Sequence, residues 1–296
     1  MLFKSEDKMG KQRIIFRLSV IVVILIWFSA GMGLFYSDDG QPRSVESIYG
    51  ETVQLFGDGV YANNSMLKAT TAKGSDLVML LASIGLLITT VKRNVGPKVK
   101  LLHGGFLVSL LYYSATTAFG ITYSRMFLLY LVMFSVAFFA FVATLIDLNA
   151  TIQPKDKNIK YTGTAIFTMI AGCTVLVWLM SILPTIFTDA PLDIISIYTT
   201  EPTFIIDIGL IFPTCFLAGI MLLHKRPMGY ILPPIMLIFL MVIAVTVIGQ
   251  TAMQLRYGVV ISIQQAMGYV MTFVGFGLIA LIVNTRFMLK CWPKSK

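Results

Sequence analysis

The chain alternates long apolar runs with shorter polar stretches, and the apolar runs are long enough to cross a bilayer. Eight stand out, at roughly 14–35, 77–91, 101–119, 126–146, 163–183, 204–223, 228–249 and 258–283. A hydrocarbon core about 30 Å thick needs about 20 apolar residues per helix. Backbone polar groups in lipid must be paired internally, so each run reads as a helix. The second run is the shortest and its limits are the least sharply marked. The predicted fold is an all-α membrane protein with eight transmembrane helices. Composition agrees: 57% of the 296 residues are hydrophobic, only 12% are charged, and mean hydropathy is +0.83. An ordinary soluble domain carries about 25% charged residues.

The basic start, residues 1–17, followed by an apolar run also fits a secretory leader. The run is long for one and lacks a small-residue exit, which favours a retained first helix. The net charge of +9 raises the question of nucleic acid, but its placement answers it. With a cytoplasmic N-terminus, 18 of the 23 basic residues fall in inner segments, including Lys92, Arg93, Lys98 and Lys100. They also include Lys155, Lys157, Lys160, Lys225, Arg226, Lys294 and Lys296. Only Arg43, Lys68, Lys73, Arg125 and Arg256 fall outside. This is the positive-inside pattern, with both termini cytoplasmic. The inner clusters favour anionic lipid headgroups as partners, and no nucleic-acid partner is implied. Cys173, Cys215 and Cys291 show no metal or redox spacing.

Outer loops alternate long, short, long, short, which suggests two units of four helices. The segment IWFSAGMGLFYSD aligns without gaps on VWLMSILPTIFTD, matching Trp27 with Trp178 and Asp38 with Asp189. SIY occurs at 47–49 and again at 196–198. Asp76 corresponds to Asp207, and Arg125 and Arg256 each follow 49 residues after their Asp. Chance among low-complexity membrane sequences is the rival explanation. The organisation expected is a tail at 1–13, a first repeat at 14–147, a linker at 148–162, a second repeat at 163–286 and a basic tail at 287–296. An even number of spans per unit makes the repeats parallel.

The first repeat carries an outer insertion near 50–75, within LFGDGVYANNSMLKATTAKGSD. Gly57 and Gly59 free the backbone there. Asn64 or Ser65 is positioned to cap a short helix that Gly74 ends, with Ser75 capping the second span. One reading is a lid over an outer cavity, formed by Gly57, Asp58, Gly59 and Tyr61. The other is an interfacial helix that only packs. Asn63-Asn64-Ser65 also fits a glycosylation acceptor, relevant only in a eukaryotic secretory pathway.

The runs LFGDGVY…GSDL, FGITYSRMFLLY, DIGLIFP and KRPMGY resemble a poorly characterised family of bacterial multi-pass integral membrane proteins. That resemblance spans residues 55 to about 238. It implies a bacterial cytoplasmic membrane and brings no activity, ligand or catalytic residue with it.

Asp207 is the acid clearly inside a span, roughly 7 Å below the outer boundary at 1.5 Å per residue. Intramembrane carboxylates raise a functional hypothesis, with a structural salt bridge as the alternative. Its expected partners are Arg125, Arg256, Tyr113 and Tyr123. Together with Asp76 they make a candidate outer polar site, arranged as a two-fold ring, although snorkelling anchors also explain the arginines. Ser109, Tyr112, Tyr113, Thr116, Thr117 and Gly120 on the third helix, and Gln264, Gly268, Thr272 and Gly275 on the eighth, suit close packing or a pathway lining. Pro213 and Pro233-Pro234 are placed to interrupt helices six and seven. Phosphate-loop, zinc-protease and nucleophile-elbow motifs are absent, and two histidines, His103 and His224, cannot build a three-histidine zinc site. No cofactor is expected. The pattern favours a non-enzymatic membrane protein that binds or moves a small-molecule solute at an outward-facing polar site. The alternative is a scaffold, sensor or immunity protein acting through lipid or protein contacts.

Overall fold

The computed structural model describes residues 2–154, 161–188, 192–260, 262 and 266–292. Asp189, Gln264, Lys155, Lys157, Lys160, Lys294 and Lys296, named above, lie outside the described residues. About 78% of the chain is helical, so the all-α class holds. The described helices are α1 (Leu2–Phe35), α2 (Met66–Val91), α3 (Pro97–Gly120), α4 (Phe127–Thr151), α5 (Thr162–Cys173), α6 (Leu179–Ile186), α7 (Pro202–Ile206), α8 (Phe212–Leu223), α9 (Leu232–Arg256) and α10 (Thr272–Cys291). Among the described residues, seven spans are long and apolar enough to cross a membrane: α1, α2, α4, α5 with α6, α7 with α8, α9 and α10. The chain is therefore an integral, multi-pass membrane protein in contact with lipid. Helix α3 is as long, but it is the interior helix, packed on α1, α2, α4 and α9. Its small and polar residues Gly104, Gly105, Ser109 and Ser114 are buried against protein, so they need no lipid-compatible surface. Helix α4 shows the opposite: Leu128, Leu131, Phe138, Phe139 and Ile146 are exposed along it.

Helix α2 corrects the expectation for the insertion. It runs unbroken from Met66 to Val91, capped by Ser65 Oγ accepting from Lys68 N at 3.3 Å. Gly74 does not end a helix but sits inside this one. Interior glycine costs about 1 kcal/mol, but here a Cβ would collide with the backbone of Gln250 on α9. Gly249 faces back, where a Cβ would lie 2.9 Å from Gly74 O. Close approach at this crossing requires both glycines. Pro233 and Pro234 do not interrupt a helix either; they open α9, where the missing N–H is harmless. Pro213 follows a π-helical turn at Asp207–Ile211, a distortion common at functional sites. The loop between α1 and α2 also holds the sole sheet among the described residues, a hairpin of β1 (Arg43–Glu46) and β2 (Thr52–Leu55).

In the first half, α1 packs on α2 and α4, and α3 closes the ring against α2 and α4. In the second half, α5 packs on α8 and α10 on α9, while the α8–α9 and α5–α10 contacts are sparse. The halves meet where α9 crosses α2 and α3.

Candidate functional site

Each half holds a buried carboxylate, Asp76 within α2 and Asp207 just after α7, and the two are kept differently. Asp76 is fully buried. Its Oδ1 accepts from Tyr113 OH at 2.6 Å and its Oδ2 from Tyr61 OH at 2.8 Å. Burial first, then the charge of Asp76, push the Tyr61 phenol far above its ordinary value, so it remains a neutral donor. Three residues earlier, on the adjacent turn, Lys73 is also buried; its Nζ donates to Gly33 O at 2.7 Å and lies 5.3 Å from the Phe56 ring centroid. Gly33 allows α1 to come this close, because a Cβ there would strike the Asp76 carboxylate.

The segment Gly57, Asp58, Gly59 and Tyr61, which the sequence leaves open as a lid over an outer cavity or as packing, places Tyr61 against Asp76. Gly57 and Gly59 have φ of +83° and +60°, a region side chains resist. Asp58 Oδ1 accepts from Ser37 Oγ at 2.8 Å and Asp38 N at 3.0 Å, while Asp38 Oδ1 accepts from Gly59 N at 2.9 Å. Slight burial raises the Asp58 carboxyl, but these hydrogen bonds outweigh it and hold the group below its usual range. The clasp seats Tyr61 in the core, so the insertion belongs to the packing of the first half.

Asp207 is 5% exposed and borders a cavity of about 900 Å³. Its Oδ1 accepts from Tyr112 OH at 2.9 Å and its Oδ2 from Trp178 Nε1 at 2.8 Å. Tyr112 and Tyr113 are consecutive on α3, about 100° apart around the axis, so one helix serves both carboxylates. No Lys or Arg forms an ion pair with Asp207 among the described residues. The cavity wall carries Phe204, stacked on Trp178 at 4.9 Å, with Phe273 6.4 Å from the same indole. It extends along α9 from Gln254 to Met236, about 27 Å at 1.5 Å per residue. At the linker end the fold is closed by aromatic packing: Tyr161 sits 6.0 Å from Tyr230 and 5.0 Å from Phe287, and Phe287 packs on Trp292.

At the loop end, Lys68 Nζ donates to both Glu201 oxygens at 2.9 and 2.8 Å. Beside it, Tyr198 OH donates to Asn64 Oδ1 at 3.0 Å and accepts from Ser65 N at 3.2 Å. Burial pushes the Tyr198 phenol up to about 12, so it stays protonated. These contacts tie the loop between α6 and α7 to the segment that opens α2.

The remaining expected residues lie elsewhere. Tyr123 is 80% exposed and leans on Phe127. Arg125 is exposed at a smaller recess of about 400 Å³ beside Asp38 and Asn63, and Arg256 is exposed at the end of α9. Asp207 therefore bonds Tyr112 and Trp178 instead of Arg125, Arg256, Tyr113 or Tyr123, and the paired Asp/Arg ring is not assembled. Trp178 was visible as a landmark of the repeat but gave no hint of its acceptor. Glu201 and Lys68 were missed, since nothing in the sequence joins residues 133 apart. Asp147 was missed as a buried acid; it pairs with Arg93 at 2.9 Å and Lys100 at 3.2 Å near the linker end. His103 Nε2 lies 3.0 Å from Ser19 Oγ, and His224 Nδ1 lies 2.9 Å from Ile220 O. Comparison with protein-family models, curated proteins and solved structures gave no match.

Proposed function

We propose that this membrane protein binds a small solute in the cavity beside Asp207 and admits it from the outer face. One observation carries the reading: a cavity of about 900 Å³ reaches past a buried carboxylate deep into the second half, while the linker end is closed by aromatic packing. Ligand sites are concave and mostly apolar, with few polar groups that fix orientation. Asp207, Tyr112, Gln250 and Thr246 are such groups here. A cavity open at one face and closed at the other suits a transporter in one of its states. The bias of basic residues supports placing both termini and the aromatic closure in the cytoplasm, within a bacterial cytoplasmic membrane with anionic headgroups. Two parallel four-helix repeats remain our reading of the chain's organisation, supported by the similar neighbour order of helices in each half. The resemblance to uncharacterised bacterial multi-pass proteins fits this picture.

The test is a thermal-shift screen of small solutes on the purified chain in nanodiscs, repeated on Thr246→Trp, which fills the cavity. Solutes should stabilise the native chain and lose that effect on Thr246→Trp. If no solute stabilises the chain in a cavity-dependent way, the protein is better read as a scaffold or sensor.

A further inference from the structure

The two carboxylates differ in one more respect, and it bears on what the cavity holds. In the first half a cation is built in nearby: Lys73, three residues before Asp76, lies on the same helix face. Its Nζ donates to Gly33 O, on the glycine that packs against the carboxylate, with no ion pair to Asp76 among the described residues. In the second half the residue three before Asp207 is Phe204, buried against Trp178. The other charged side chains lining the cavity, Lys68 and Glu201, neutralise each other. Asp207 is thus the one uncompensated charge on the cavity wall among the described residues. Its two donors, a phenol and an indole N–H, are neutral, and each occupies one oxygen, which leaves further acceptor positions on both. A carboxylate on a mostly apolar wall is costly unless paired. The surrounding wall is apolar and aromatic, with Phe204, Trp178, Phe273 and Phe239.

Resting on the solute-binding reading above, we propose that the ligand is an organic ammonium ion with an apolar body. Its charged head sits beside Asp207, on a wall where the chain places no cation of its own against that carboxylate. Its body lies along the aromatic wall. The geometry selects by charge: an ammonium completes the carboxylate, a neutral alcohol leaves the charge unmatched, and a carboxylate solute is repelled.

Isothermal calorimetry on the full chain in nanodiscs tests this with three probes of one shape: phenethylammonium, phenethyl alcohol and phenylacetate. Phenethylammonium should bind about tenfold or more tighter than either of the others, the usual worth of a charged hydrogen bond. Asp207→Asn should bring it down to the level of the alcohol. Phe204→Lys, which supplies an internal cation as Lys73 does, should remove ammonium binding from a folded protein. If the alcohol or phenylacetate binds the native chain as well as the ammonium, the cation inference is overturned and the solute-binding reading survives. If none of the three gives heat, both fall. The native-chain series decides the question even where a variant does not fold.

Discussion

Asp76 and Asp207 show how one problem, a buried carboxylate within a membrane helix, is solved in two ways. Each accepts two hydrogen bonds from neutral aromatic donors, one of them from neighbouring tyrosines on α3. Around Asp76 the protein supplies everything: Tyr61 from the insertion, Lys73 from the preceding turn, and a close-packed α1 that Gly33 permits. Around Asp207 the corresponding wall stands back. The α5–α6 span is broken by a 3-10 segment at Thr174–Trp178, Pro184 lies within α6, and a cavity remains. Occupying such a space with protein makes a structural site. Leaving it open beside a lone charge makes a binding site.

The sealed side should be the more fragile. Tyr61→Ala removes a buried ring and one donor to Asp76, and should destabilise the protein by about 3–4 kcal/mol, as large aromatic truncations do. Reversible unfolding in mixed micelles measures this. A loss under about 1 kcal/mol would mean that the insertion only covers the surface. Tyr61 also marks where the sequence stopped being legible. The apolar helices and the two buried aspartates follow from hydropathy and spacing, except that α3, read as a span, is an interior helix. What the insertion does depends on where its ring points, which the positive-φ glycines and the Asp58–Ser37 clasp decide in three dimensions. Gly74 misled for a related reason: on sequence alone a glycine before Ser75 reads as a stop, whereas tertiary contact with Gln250 keeps it within a helix. The partners of Asp207 were hidden because charge complementarity pointed to Arg125 and Arg256, while burial favours donors that carry no charge of their own.

A smaller effect is expected at the mouth of the cavity. Lys68→Met breaks the bond to Glu201, whose side chain is only 7% exposed, and leaving that carboxylate unpaired should cost about 1–3 kcal/mol. Stability should fall by that amount, and solute entry should speed up as the loop between α6 and α7 loosens from Ser65 and Asn64. Stopped-flow binding of phenethylammonium reads this rate. An unchanged rate would mean that the Lys68–Glu201 pair does not control entry.

The contrast between a sealed and an open half is tested most directly by the access of water-borne reagents. In a background with Cys173, Cys215 and Cys291 replaced by serine, single cysteines would be placed at Thr203 and Ile243, on the cavity wall. A third would replace Ala69, which packs with Tyr61 and Phe56 above Asp76. Intact cells would then be treated with a membrane-impermeant methanethiosulfonate. Thr203→Cys and Ile243→Cys should react, the deeper one more slowly, and Ala69→Cys should not. Protection at Ile243 together with reaction at Ala69 would contradict the account.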